Sequence, residues 1–270
     1  MRIDYTSDLH MEKLNIKNIE DYVMKQLQPL NGDFLLLNGD ISDYNYEIFE
    51  MIEILNKNTN YKNKIIYTLG NHELWSKYQP TKKKIKELKE GLKKLGVHLL
   101  INEMINLKSL NKNCLDMNLF GGFIFYDFNI TMVEHNKNYE ETFDIFKNQN
   151  DVYKTNNFFN TKRDFIRISK KGKDVVKKIE NIDIMVNHFT PNTLLKEIRK
   201  QKVNDFFNNE IIGNVSFEDN FLKEKKIKHF FTGHLHHKTI YQCPKTKTKY
   251  YVNVNHNPLL NKIEQVIIEK

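Results

Sequence analysis

The segment Asp33-Phe34-Leu35-Leu36-Leu37-Asn38 is apolar at four consecutive positions and breaks at Gly39-Asp40. A strand apolar on both faces has to be covered on both faces, so this run demands a layered fold. The same design recurs on either side of it. Arg2 to Thr6 reads as a shorter strand ending in Ser7-Asp8-Leu9-His10, and Lys64-Ile65-Ile66-Tyr67-Thr68-Leu69 stops at Gly70-Asn71. Between these runs, Ile16, Ile19, Val23 and Leu27 recur at helical spacing until Pro29, and Ile48, Ile52 and Leu55 mark a second helix. Pro80-Thr81 opens a Lys-rich helix with Ile85, Leu88, Leu92 and Leu95 on one face and Gly96 as its stop, before a strand over Val97 to Ile101. Its basic run reads as a solvated face. Strands alternating with helices predict a largely parallel sheet under helical cover, an α/β protein.

The second half changes character. Asn118 to Tyr126 reads as a strand holding Gly121-Gly122, a sign of a bulge or a close backbone approach. Residues 127–165 are polar and Asn-rich, with a short helical pattern near Tyr139 to Phe146; they either cap the site and choose its substrate or form a peripheral loop. A helix from Phe165 to Ile179 leads into a strand over Ile182 to Asn187. After a mixed helical stretch near 192–224 come Phe230-Phe231-Thr232 and three antiparallel strands at 238–242, 249–254 and 263–268. With 270 residues, no repeat and no low-complexity linker, the expectation is one domain over 1–270 built on two sheets.

Composition narrows the function class. Hydrophobic residues at 40% and charged residues at 28% describe globular material, and no stretch approaches the roughly 20 apolar residues that span a bilayer. Met1 to Tyr5 runs straight into a strand-like segment without an apolar signal region. The two cysteines, Cys114 and Cys243, form no framework and no metal-type spacing, so a cytoplasmic protein without a membrane partner is expected. The net charge of +8 either attracts an anionic substrate or reflects solvated lysines. The lysines scatter along helices rather than forming an Arg-rich, aromatic-interleaved stripe, which fits the second reading.

Chemistry is concentrated in five clusters that each follow a strand-like run: Ser7-Asp8-Leu9-His10, Gly39-Asp40-Ile41-Ser42-Asp43, Gly70-Asn71-His72-Glu73, Asn187-His188 and Gly233-His234-Leu235-His236. They offer Asp8, His10, Asp40, Asn71, His188, His234 and His236 at strand ends. Two divalent cations about 3.5–4 Å apart clamp a phosphoryl group and supply hydroxide near neutral pH. An oxygen-and-nitrogen donor set without thiolate suits manganese first, with iron or zinc as alternatives.

As an ordered set, running from Asp8 to His236, these clusters resemble the calcineurin-like metallophosphoesterase superfamily, whose pattern is D-x-H, GD-x-x-D, GNH-[DE], a later H, and GH-x-H. The resemblance implies a four-layer α/β/β/α sandwich of two mixed sheets flanked by helices. It implies one metal held by Asp8, His10, Asp40 and His236 and a second held by Asp40, Asn71, His188 and His234, with Asp40 as the bridge. His72 would face the leaving-group oxygen as a general acid or charge stabiliser. Glu73 either orients His72 or is merely a helix-start residue, and Asp43 supports its loop.

Protein Ser/Thr phosphatases of the superfamily carry Arg after the second and third motifs; here Tyr44-Asn45 follows the second, and no arginine lies near His72. The chain is more similar to small bacterial and phage phosphoesterases, including those similar to class III cyclic-nucleotide phosphodiesterases. The implied activity is hydrolysis of a small phosphodiester or cyclic nucleotide by metal-activated hydroxide, His72 assisting the departing oxygen and Asp40 essential. A nuclease acting on DNA or RNA, a phosphomonoesterase and a catalytically silent scaffold are the alternatives. Trp75 and Tyr78 either wall the pocket and stack on a base or pack beside a helix start. His237 should point away from the metals by strand alternation, and His98, His135, His229 and His256 read as surface or core residues.

Overall fold

A computed structural model describes residues 1–14, 19–26, 31–125, 150–156, 158–159, 161–194, 221, 224–235, 238–253 and 262–269. Among these residues two mixed sheets form. The first has five strands in the order β11-β1-β2-β3-β4: β1 (Arg2–Thr6), β2 (Phe34–Asn38), β3 (Ile65–Thr68) and β4 (His98–Leu100) run parallel, and β11 (Glu264–Ile267) pairs antiparallel with β1. The second has six in the order β5-β6-β7-β8-β10-β9. In it β6 (Asn118–Gly122), β7 (Ile184–Asn187), β8 (His229–Thr232) and β10 (Lys249–Val252) are parallel, while β5 (Glu103–Asn106) and β9 (Thr239–Gln242) are antiparallel edges.

The continuous apolar run of β2 is explained by side-chain alternation. Phe34 and Leu36 join Ile3, Tyr5, Ile66, Leu119, Ile184, Val186, Phe231 and Tyr251 in the core between the two sheets. Leu35 and Leu37 point the other way, into a cluster with Ile48, Met51, Ile52 and Leu55 of α2 (Asn45–Asn58) and Leu88 and Leu92 of α3 (Thr81–Lys94). Each fully buried side chain of this kind gains about 1.5–3 kcal/mol by leaving water. α3 stops as read, with Gly96 at φ +76°. Gly121 marks a close approach: a Cβ there would lie 2.2 Å from the Leu100 Cβ.

Further elements are α1 (Ile19–Asp21), continued by a turn of π-helix at Tyr22–Gln26, α4 (Leu107–Leu110), α5 (Asn150–Tyr153) and α6 (Lys162–Lys178). α6 begins earlier than its apolar period indicates, because the Thr161 amide donates to Asp164 Oδ2 at 2.8 Å in a capping box. β5 and α4 carry too few apolar residues to be read from the sequence. The three C-terminal strands are not a simple antiparallel set: β10 lies parallel to β8, and β11 crosses to the first sheet. The helical patterns near 139–146 and over most of 192–224 lie outside the described residues. No helix among the described residues is long and apolar enough to cross a membrane.

Since β1, β2 and β3 are parallel neighbours, their carboxyl ends share one edge of the first sheet; β7 and β8 do the same in the second. The five clusters follow those five ends. The carboxyl edge of such sheets is where loops can converge on a ligand.

Candidate metal centre

The strand ends converge because the backbone turns sharply there. Asp8, His10, Asp40 and His234 adopt left-handed φ values of 54°, 47°, 53° and 69°. Non-glycine residues in that region are uncommon and strained, and persist where surroundings hold them. Here the Asp8 amide donates to the Gly39 carbonyl at 3.0 Å and the His10 amide to the Asp40 carbonyl at 3.1 Å, so the first two loops stay paired beyond their strands. Two glycines permit the approach. A Cβ on Gly70 would sit 2.1 Å from Asp40 Oδ1, and one on Gly233 would sit 2.5 Å from Asp8 Oδ2.

Glu73 fastens this geometry. Fully buried, it accepts the amides of Asp40 (3.0 Å), Ile41 (2.9 Å) and Gly70 (2.8 Å) and the Tyr67 hydroxyl (2.7 Å). It stands in the first turn of the short helix His72–Leu74, as one sequence reading expects, and its carboxylate in addition clamps the second and third clusters together.

Asp40 sits at the meeting point. One group of donor atoms close enough to hold an ion is His10, Asp40 and His72; another is Asp40, His188 and His234. His188 Nε2 lies 3.3 Å from Asp40 Oδ2 and 3.9 Å from Asp8 Oδ1. Its Nδ1 donates to the Asn38 carbonyl at 2.8 Å, which fixes the ring with Nε2 facing the carboxylates. Asn71 is oriented likewise: its amide nitrogen donates to Asp151 Oδ1 at 3.0 Å, and its buried carbonyl oxygen has no hydrogen-bond partner among the described residues. Asp8 accepts the His234 amide at 3.1 Å and the Ser7 hydroxyl.

The electrostatics match a cation site. Burial opposes charge on Asp40, yet His188, His72 and His10 hold its carboxyl well below the usual range. Burial likewise opposes charge on His188, but Asp40, Asp8 and the Asn38 carbonyl push it up to about 10. A buried carboxylate cluster that draws protons onto imidazoles is one in which a divalent ion can replace those protons. His and Asp side chains are thus placed to bind metal, and an oxygen donor such as Asn71 Oδ1 left over in a buried site fits that use.

His72 lies in the same centre and is buried. Its Nδ1 is 2.6 Å from Asp43 Oδ1 and 3.3 Å from Glu12 Oε1, its Nε2 is 3.9 Å from Asp40 Oδ2, and its amide donates to Asp40 Oδ1 at 2.9 Å. Against the cost of burial, Asp40, Asp43 and Glu12 raise its pKa to about 10. The ring also touches His10 and Trp75, with centroids 4.2 and 3.5 Å away.

Several residues here escape the sequence reading. Asp43 acts on the His72 ring rather than merely on its loop, and the Gly-Asp-x-x-Asp spacing was its only signal. Glu12 carried none beyond its nearness to His10. Lys84 stands in a helix read as solvated, yet is buried and donates to the carbonyls of Asp43 (2.6 Å), Trp75 (2.6 Å) and His72 (3.4 Å). Asp151, at the far end of the polar insert, also accepts the Trp75 indole N–H at 2.6 Å. His236 and His237 lie outside the described residues, as do His135 and His256.

Trp75 is packed and hydrogen-bonded, whereas Tyr78 is exposed. Both border an open groove of about 1280 Å³ that adjoins the centre through Asp43 and Lys84. Its far wall comes from the described end of the insert, where the Ser76 amide donates to the Lys154 carbonyl at 2.7 Å and the Thr81 amide to the Asn156 carbonyl at 3.1 Å.

Comparison with curated proteins by sequence finds no match. Among solved structures, the phosphopantetheinyl hydrolase PptH from Mycobacterium tuberculosis is similar with a TM-score of 0.70 at 16% identity, over 95% of this chain and 89% of that one. The protein TT1561 of Thermus thermophilus is similar with a TM-score of 0.46 at 11% identity, over 98% and 97%. The family model for calcineurin-like phosphoesterases matches residues 1–238. That match spans all five strand-end clusters and the five strands that carry them, and the chain belongs to the calcineurin-like phosphoesterase family.

Proposed function

We propose that this phosphoesterase is a dinuclear, metal-dependent phosphodiesterase. The observation that carries the reading is the membership of Asp40 in two donor groups at once. One ion would be held by Asp8, His10 and Asp40 with His236, and the other by Asp40, Asn71, His188 and His234. The donor chemistry favours manganese, with iron or zinc next. When bound, the pair supplies Lewis acidity at the phosphoryl oxygens and a water acidified toward neutral pH.

The chain's own residues do the rest. Asp43 and Glu12 hold the His72 Nδ1 proton, which aims Nε2 at the centre, and His72 Nε2 gives its proton to the departing ester oxygen. A diester suits the charge available: no arginine follows the second or third cluster, and the ammonium of Lys84 is occupied by three carbonyls. A monoester's additional negative charge would lack a partner from these residues. The described part of the insert, residues 150–156, flanks the site, a role supported by the contact of Asp151 with Asn71 and of Lys154 and Asn156 with Ser76 and Thr81; residues 126–149 lie outside the described residues. Cys114 and Cys243 are free thiols, in keeping with a reducing cytoplasm.

The test is a manganese-supplemented screen of phosphomonoesters, cyclic nucleotides, dinucleotides and single-stranded nucleic acid. The reading expects turnover of diesters above monoesters; a preference for monoesters would overturn it.

A further inference from the structure

We infer that the groove beside the metal centre is a base-binding subsite, and that the substrate is a phosphodiester bearing nucleobases, extended enough to meet more than one aromatic ring. The inference rests on the phosphodiesterase reading and adds the substrate class to it.

The groove adjoins the metal centre directly. Its inner wall is made by Asp43, Trp75 and Lys84, the residues that surround the His72 ring and its carbonyl. At about 1280 Å³ it is larger than the roughly 300–1,000 Å³ of ordinary small-molecule pockets, so it takes something longer than one compact group.

Its rim is aromatic in a way that packing does not require. Tyr44, Tyr46, Tyr78 and Tyr153 are the four exposed tyrosines among the described residues, at 46%, 63%, 86% and 65%, and all four line this groove. Exposed rings scattered singly are ordinary; gathering every one of them at one opening is what a stacking surface needs. Tyr44 and Tyr46 already stack on each other, centroids 5.5 Å apart at 28°.

Cations stand among these rings. Lys77 Nζ lies 5.2 Å from the Tyr78 centroid and Lys154 Nζ 4.0 Å from that of Trp75, and neither lysine has a carboxylate within ion-pair distance among the described residues. Aromatic faces interleaved with ammonium groups follow the chemistry of a nucleotide chain, bases stacking while phosphates meet lysines. Dinucleotides and single strands share that chemistry.

Trp75 is the chain's single tryptophan and forms part of the groove wall, so its fluorescence reports occupancy directly. The metal-loaded protein is titrated with a phosphorothioate-linked diadenosine, which resists hydrolysis, with a phosphorothioate hexa-adenylate, and with an abasic phosphorothioate hexamer. The expected result is saturable binding of the base-bearing ligands, weakened about tenfold by Tyr78→Ala or Tyr153→Ala, about 1.4 kcal/mol. A hexamer binding well above the dinucleotide identifies a strand as the ligand; equal affinities identify a dinucleotide. Abasic hexamer binding as tightly as hexa-adenylate, or tyrosine variants binding like wild type, overturns the inference. Either result, with bis-p-nitrophenyl phosphate still hydrolysed, leaves the phosphodiesterase reading intact. Tyrosine-dependent binding without diester turnover would sink that reading instead.

Discussion

Replacing Glu73 by Gln removes one charge from the most densely bonded carboxylate of the centre while keeping its shape. Oε2 accepts from the amides of Asp40 and Gly70, and Oε1 from the amide of Ile41 and the Tyr67 hydroxyl. The best placement of Gln puts its carbonyl at the first pair and its NH2 at the second. The Tyr67 hydroxyl can then turn to accept, but the Ile41 amide is left buried without an acceptor, at about 1–3 kcal/mol. The surviving bonds lose their ionic character, a further loss of about 1 kcal/mol, partly offset by relief of the buried charge. The net expectation is about 2–4 kcal/mol in urea unfolding at neutral pH, a large share of the roughly 5–15 kcal/mol of an ordinary domain. The loosened Asp40 loop should also hold metal less tightly. A Glu73→Gln protein within about 0.5 kcal/mol of wild type that keeps its metal would refute the clamp. Altered turnover at unchanged stability would show instead that Glu73 acts on His72.

Three further perturbations probe separate parts of the account. His72→Ala should keep its metal content and lose about 10²–10⁴ in kcat on a diester with a poor leaving group; metal content and kcat both at wild-type values would contradict the proton role. Gly70→Ala forces a Cβ against the Asp40 carboxylate at 2.1 Å and should cut metal content and activity together, whereas normal loading would show that the loops have slack. His229 is pushed down to about 4 by burial, then by Lys249 and Lys228. Between pH 6.5 and 4 the unfolded chain takes a proton that the folded chain refuses, so stability falls as pH drops through that window. The fall in Tm should be shallower in His229→Gln, and parallel curves would exclude this source.

The site was more legible than its supports, for a physical reason. Asp8, Asp40, Asn71, His188 and His234 announce themselves because polar residues directly after buried strands have little structural use. Gly39, before Asp40, takes a left-handed φ of 76° that other residues resist, and Gly70 and Gly233, before Asn71 and His234, leave room that a side chain would fill. Glu73, Lys84 and Asp151 do equal work in holding the site, but acid or amine side chains at such positions look the same whether solvated or buried. Lys84 in particular sits among surface lysines of α3, and only the fold brings three carbonyls to it. The buried strand β2 was readable because both its faces are covered, while edge strand β5 has two exposed residues and no pattern to read. The passage of β11 to the first sheet depends on pairing with β1, a contact between chain ends that local periodicity does not encode.

The central claim is that one carboxylate, Asp40, serves two metal ions. Metal content per chain after manganese loading and dialysis, measured by mass spectrometry on wild type and Asp40→Asn, tests it most directly. The account predicts two ions in wild type and less than one in the variant, since a single change weakens both positions. One ion in wild type, or two retained by Asp40→Asn, would contradict it.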